Sequence, residues 1–145
     1  VGGFMRTFRL LFLFALALCP AAVVAAQERE HPIDKTLRAC EEQDPSTAGQ
    51  VRCITAAQGM WDKELNRVYN ELARRLAAPA RQRLRAAQLA WISHRDAEFK
   101  LIDEVYANLE GTMYVPMQAH ARMRVVKARA LELAGYLSLL EEHRR

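Results

Sequence analysis

Apolar residues recur at every third or fourth position over three long stretches of this sequence, and that spacing predicts three long helices. The stretches cover residues 48–76, 79–106 and 112–142, with proline and glycine breaks between them. An apolar stripe with this period buries one face of a helix, whereas a strand alternates at every second residue. The stripe positions are, in chain order, Val51, Ile54, Trp61, Leu65, Val68, Leu72 and Leu76, then Leu84, Gln88, Trp91, Arg95, Phe99 and Ile102, then Met123, Val126, Ala130, Leu133, Leu137 and Leu140. We therefore predict an all-α fold, in which an antiparallel helical hairpin and a third long helix form a three- to four-helix bundle, preceded by a short helix over 32–37.

Residues 1–26 have the pattern of a secretory signal peptide. A basic segment over 5–9 precedes an unbroken apolar run over 10–18, and small residues follow up to Ala26. We expect cleavage after Ala26, which leaves a single domain over 27–145 in the periplasm or outside the cell. An uncleaved membrane anchor is the alternative, but the run is shorter than the roughly 20 apolar residues that a span needs. We therefore expect no stable membrane span after cleavage.

Cys40 and Cys53 are the two cysteines that remain after such cleavage. An even pair in an exported chain predicts a disulfide, because the compartments outside the cytoplasm are oxidising. The bridge would close a short loop and stabilise the fold by about 3 kcal/mol in the chain-entropy model. Residues 43–47 favour a turn, and Ser46 or Thr47 is a suitable N-cap for the first long helix. A redox pair or a metal site is the alternative, although the C-x-x-C spacing typical of such sites is missing.

Arginines concentrate where the first two long helices meet, over residues 74–85, which we call the hairpin tip. Its arginines are Arg74, Arg75, Arg81, Arg83 and Arg85, and the acidic residues cluster toward the other end of the bundle. Arg81, Arg83 and Arg85 lie near the start of a helix, where the helix dipole disfavours positive charge. We therefore predict that these three arginines form an anion-facing surface that binds a partner. A merely solvated basic surface is the alternative.

Polar residues interrupt the apolar stripes of the first two long helices. If these helices fold back on each other about residues 78 and 79, the numbers of two residues that face each other add up to about 157. Asp62 would then face Arg95, and Tyr69 would face Gln88. A buried arginine without a partner costs several kcal/mol, so such pairs would satisfy each other. The predicted structural polar network consists of Asp62, Asn66, Tyr69, Gln88, Trp91, Arg95 and Asp96. A ligand-contacting surface around Asp62, Arg95 and Asp96 is the alternative.

The same residues carry a resemblance to a known family. The pattern D-x-x-L-N-x-x-Y occupies 62–69, L-x-x-A-Q-x-x-W occupies 84–91, and Arg95-Asp96, Gly111-Thr112 and Arg129 follow in order. This order resembles the LprI-type lysozyme-inhibitor domain, and the resemblance covers about residues 36–134. It implies a periplasmic or secreted helical domain that binds a protein, with a lysozyme or another cell-wall hydrolase as the expected partner.

The cysteines both fit this family and depart from it. Cys40 and Cys53 match the family's first cysteine pair. Members often carry a second pair, and Phe99 and Ala121 stand at those positions here. The joint absence is what the loss of one whole disulfide would produce, and we expect Phe99 to fill the space with apolar contacts. We therefore do not expect a function that needs a rigid second helix–loop–helix connection.

No residue pattern indicates catalysis. A nucleophile with its base, a zinc signature and a glycine-rich phosphate loop are all missing from the sequence. We therefore expect no catalytic residue and no cofactor, and because the chain is exported we expect no nucleic-acid partner. The leading hypothesis is a non-enzymatic module that blocks a glycan-hydrolase cleft.

Two alternatives belong to other functional classes. One is an envelope structural or adaptor protein that docks a helical partner through one helix face. The other is a copper-binding protein, because Met113, Met117, His120 and Met123 recur at helical spacing, and thioether and imidazole groups suit Cu(I).

Overall fold

The computed structural model describes residues 30–143, which form four α-helices and no strand. The helices are α1 (Pro32–Gln43), α2 (Thr47–Arg75), α3 (Ala78–Ala107) and α4 (Tyr114–Glu142). This confirms the predicted all-α bundle, with α1 longer than the expected 32–37. The predicted signal peptide lies outside the described residues. Within the described part, none of the helices combines the length and the apolar character that crossing a membrane requires.

Local sequence signals set the helix ends. Ser46 caps α2 as predicted, since its hydroxyl accepts a hydrogen bond from the Gly49 N–H at 3.0 Å. His31 caps α1 through Nδ1, which accepts from the Ile33 N–H at 3.2 Å. Gly111 has a φ of +119° in the connection between α3 and α4, a backbone conformation that favours glycine. The breaks between the long helices are therefore built into the sequence.

The core forms mainly between α2 and α4. The most deeply buried large side chains of the described residues are Trp61, Ile54, Leu65 and Val68 of α2, with Met123 and Leu133 of α4. All of them belong to the predicted stripes. Because α2 has a single apolar stripe, and α4 and α1 cover it, little apolar surface of α2 is left for α3.

Helix α3 consequently lies against α4 and makes little contact with α2, although it follows α2 directly in the chain. Only Leu84 and Ile102 of α3 are buried, while Trp91 and Phe99 are half-buried. The predicted stripe therefore faces the protein, but it is shallow because polar residues interrupt it. The predicted pairing of the first two long helices is therefore wrong, because α3 packs against α4 and not along α2.

Helix α1 is fastened over one end of the core. The predicted disulfide is present and joins Cys40 of α1 to Cys53 of α2, with a Cα–Cα distance of 5.7 Å. Next to it, the ring of His31 stacks on Trp61 with 4.3 Å between ring centroids. Lys127 of α4 donates to Asp34 of α1 at 2.7 Å.

Candidate functional site

The hairpin tip exposes the start of α3. Helix α2 ends at Arg75, and α3 begins at Ala78 after only two connecting residues. Ala77 is the N-cap of α3, and its side chain cannot accept a hydrogen bond from the first turn. No acidic residue lies in that turn either. The positive end of the α3 dipole is therefore not neutralised by its own first turn.

Arg74 and Arg75 are engaged in ion pairs. Both donate to the carboxylate of Glu71, with the Arg75 Nε at 2.8 Å. Together they hold the pKa of the Glu71 carboxyl below its ordinary value, with the Arg74 hydrogen bond as the larger cause. Arg75 also pairs with Glu141 of α4 at 3.0 Å. These two arginines therefore stabilise the end of α2 and its contact with α4.

Arg81, Arg83 and Arg85 differ from this pair. All three are exposed and none forms an ion pair with another residue of the part that the structure describes. Arg81 donates to the backbone carbonyl of Leu76 at 3.1 Å, which holds its side chain along the turn. The three arginines therefore lie within the first eight residues of α3 without ion-pair partners among the described residues. Their role as a partner-binding surface stays a prediction.

An apolar cleft adjoins the tip, and we call it the tip cleft. It has a volume of about 550 Å³ and lies where the end of α2, the start of α3 and the last turns of α4 meet. Its apolar lining includes Leu72, Leu76, Leu84, Leu133, Tyr136 and Leu139. Tyr136 is 50% exposed and Leu139 is 61% exposed, although both are large and largely apolar. Arg83 and Glu132 also line the cleft, so charges of both signs adjoin the apolar surface.

The predicted polar network takes a different form. Gln88 was expected to face Tyr69, but its Oε1 accepts from Nε of Arg129 at 3.1 Å. Arg129 is 9% exposed and also donates to Glu132 at 2.6 Å. The buried arginine is therefore satisfied by α3 and α4 together. Arg129 is part of the family pattern. The predicted pairing joined α2 only to α3, so it assigned no partner to this residue of α4.

The expected Asp62–Arg95 pair does not form, because α3 does not run along α2. Arg95 instead donates twice to the neighbouring Asp96, at 2.9 and 2.7 Å. Its guanidinium carbon also lies 5.5 Å from the ring centroid of Trp91. Asp62 and Asn66 are exposed, and the Asn66 amide donates to the Asp62 backbone carbonyl at 2.9 Å. Their contribution to the scaffold stays a prediction.

The positions of the family's second cysteine pair hold Phe99 and Ala121, both packed into the protein. Ala121 is buried and Phe99 is half-buried against the core. The guanidinium carbon of Arg122 lies 4.5 Å from the Phe99 ring centroid. Arg122 also pairs with Asp103 at 2.9 Å, and Gln118 donates to the same carboxylate at 2.8 Å. Polar and cation–π contacts therefore join α3 to α4 in this region.

A second cavity lies at the opposite end of the bundle. It has a volume of about 700 Å³ and is lined, among others, by Glu41, Tyr106, Met113, Met117, His120 and Arg124. Met123, which shares their helical spacing in the sequence, is 1% exposed and belongs to the core. Over residues 30–143, no cluster of three or more His, Cys, Asp or Glu side chains is placed to hold a metal ion.

Comparison with known proteins identifies a matching protein family and a solved structure that is similar to this one. The family described as lysozyme inhibitor LprI matches residues 38–133. A solved crystal structure of an uncharacterized protein from Burkholderia thailandensis is 33% identical, with a TM-score of 0.72. The similarity covers 77% of this chain and 56% of that one, so this chain spans little more than half the length of that protein. No curated protein matches the chain.

Proposed function

The chain belongs to the lysozyme inhibitor LprI family, and on that basis we propose that it is a non-enzymatic module that blocks the cleft of a lysozyme or another glycan hydrolase. Residues 1–26 direct its export in this proposal, and 27–145 form one domain that acts in the periplasm or outside the cell.

The proposed contact is the hairpin tip, and one observation supports it above all others. Arg81, Arg83 and Arg85 have no acidic partner among the described residues, while the neighbouring Arg74 and Arg75 do. Arg81 lies at the end of the first turn of α3, where positive charge is slightly unfavourable, so an anion bound there would remove a cost that the free protein bears. Glycan hydrolases typically carry two carboxylates at the scissile bond, and guanidinium groups pair with carboxylates through charge-assisted hydrogen bonds.

The tip cleft adds apolar contact beside the charge. Arginine and tyrosine are the residue types that contribute most to the centres of protein interfaces. Arg83 and Tyr136 both line this cleft, and Leu139 extends its exposed apolar wall. A partner side chain seated in the cleft would lie beside Arg83, the one of the three arginines that lines it.

Long-range attraction contributes little to this complex. The full chain has a net charge of +4, which falls to +2 when Arg6 and Arg9 leave with the signal peptide. The common animal lysozymes are themselves basic, so net charge does not steer the two proteins together. Affinity therefore depends on short-range contacts at the tip, and raising the salt concentration weakens it by screening those arginines.

The test is inhibition of lysozyme by the full chain with its disulfide formed. Clearance of a cell-wall suspension is followed with animal and bacterial lysozymes over a range of salt. We expect saturable inhibition at micromolar protein or below. In the R81E/R83E/R85E variant we expect at least a tenfold weaker inhibition and a melting temperature that is not lowered, since acidic residues near a helix start are favourable.

A matched control separates tip contacts from total charge. The K35E/K63E/K100E variant changes the net charge by the same amount at exposed positions outside the tip. It should inhibit like the wild-type protein. Equal inhibition by both variants would remove the tip from the proposal, and no inhibition of any lysozyme tested would contradict the proposed function itself.

A second candidate function is an envelope adaptor that docks a helical partner. One observation favours it, because Leu101 and Val105 lie about one turn apart on α3 and are 56% and 51% exposed. Such an apolar helix face suits docking with another helix. In that case L101E would abolish capture of the envelope partner, and R81E/R83E/R85E would not.

A further inference from the structure

Three side chains with soft metal-binding groups line the cavity opposite the hairpin tip. They are Met113, Met117 and His120, and the cavity has a volume of about 700 Å³. Met113 is 62% exposed and Met117 is 45% exposed, while Met123 on the same helix is 1% exposed. Core packing explains Met123, since methionine fills irregular gaps in cores. It does not explain two thioethers that are turned to an open cavity.

The helical spacing brings the three groups onto one face. Met113 is the N-cap residue of α4 and has helical dihedral angles, with φ of −62° and ψ of −27°, so the helical geometry extends to it. Each residue of an α-helix turns by about 100°, so positions 113, 117 and 120 fall within an arc of roughly 60°. Residues three and four apart are neighbours on the helix surface. Met117 is therefore adjacent to both Met113 and His120, and an ion in front of Met117 lies within reach of all three side chains.

The chemistry of these groups selects one class of ion. Thioether and imidazole groups are soft and neutral ligands, which favour Cu(I) over Mg²⁺, Ca²⁺ and other ions that prefer oxygen. Arg124 lines the same cavity and repels cations, and Glu41 is the acidic residue that offsets it there. A single positive charge is tolerated in such surroundings better than a double one. We propose that Met113, Met117 and His120 bind one Cu(I) ion.

The proposal does not depend on lysozyme binding, because the cavity and the hairpin tip lie at opposite ends of the bundle. It involves no redox step, since the ion binds and leaves as Cu(I). The Cys40–Cys53 disulfide withholds both thiols from the metal. Cys19 is the remaining cysteine. The C19S chain is therefore used in every arm, so that no free thiol competes.

The test is titration with Cu(I) under anaerobic conditions, with a chromophoric Cu(I) chelator as competitor. Ag(I) followed by calorimetry serves as a probe that is inert to oxidation. We expect one equivalent of either ion to bind at micromolar concentration or below. M117L and H120A should each weaken binding at least tenfold, and the 113–120 side-chain signals should shift in NMR spectra.

The control variant is M123L, which makes the same substitution on the same helix at a buried position. It should bind Cu(I) like the parent chain, and thermal melts check that each variant folds. Absence of saturable binding, or equal affinity in M117L, H120A and M123L, would overturn the proposal. Zn²⁺ binding as tight as Cu(I) binding would also overturn it, because thioether ligands would then not determine the choice of ion.

Discussion

Removal of the Cys40–Cys53 disulfide should cost about 3 kcal/mol of unfolding free energy. The two cysteines are separated by 13 positions, and a cross-link that closes a loop of this length lowers the entropy of the unfolded chain by that amount. For a domain with the size of the described part, the loss corresponds to a fall in melting temperature of roughly 12 °C. Alanine is the replacement at both positions, because Cys53 is 1% exposed and a buried serine hydroxyl would add its own cost.

The structure also predicts which part of the fold unfolds first when the disulfide is removed. Without the cross-link, α1 is held by its apolar contacts and by the Lys127–Asp34 ion pair, whose side chains are both partly exposed. Helix α1 should therefore separate first and expose Trp61, on which His31 stacks. Tryptophan fluorescence should shift to longer wavelength before the helical circular-dichroism signal falls.

The assay is urea unfolding of the C40A/C53A variant, the wild-type protein and the wild-type protein under reductant. The last two samples differ only in the cross-link, so the difference between their unfolding free energies measures the contribution of loop closure. The variant adds the change in packing at Cys53. A loss below about 1 kcal/mol in both comparisons would refute the reasoning, because the cross-link would then contribute much less than the loop-closure entropy of the unfolded chain.

Two further predictions concern local structure. Replacement of Gly49 by alanine should destabilise the protein by about 1–3 kcal/mol in urea unfolding, because the added Cβ would lie 2.5 Å from the backbone carbonyl oxygen of Asp44. The matched variant G59A has open space around the new Cβ, so it should stabilise α2 by up to about 1 kcal/mol, and equal effects of the two variants would contradict this account. Asp103 has a pKa below its ordinary value of 3.8, chiefly because Gln118 donates to it. A depressed carboxyl pKa contributes stability that is present above pH 3.8 and is lost as the pH falls through the lowered value. D103N should therefore be less stable than wild type at neutral pH. In thermal melts, the difference in melting temperature between the two proteins should shrink toward pH 2. A difference that stays constant with pH would contradict this role of Asp103.

Local features of the fold could be predicted from the sequence because each depends on residues close in the chain. The apolar period set the buried faces of α2 and α4, and Ser46 marked the start of α2. The exposure of Arg81, Arg83 and Arg85 could be predicted because three charged side chains so close in sequence are not buried together without partners. The disulfide followed from the number of cysteines and the expected export of the chain.

The partners of the polar residues could not be predicted in the same way, because they depend on which helices pack against each other. Chain order favoured a pairing of α2 with α3, but α4 buries more apolar side chains than α3 and takes the place next to α2. Gln88 therefore meets Arg129 instead of Tyr69. The tip cleft was missed for the same reason, because it needs the end of α4 beside the hairpin tip.

Competition for the cleft of a hydrolase tests the central claim most directly. Binding of the protein to a lysozyme is measured by calorimetry, first alone and then with the cleft filled by a trisaccharide of N-acetylglucosamine. If the hairpin tip enters the cleft, the trisaccharide should weaken binding in proportion to its occupancy, and R81E/R83E/R85E should remove the competition together with the binding. Binding of unchanged affinity in the presence of saturating trisaccharide would contradict the account.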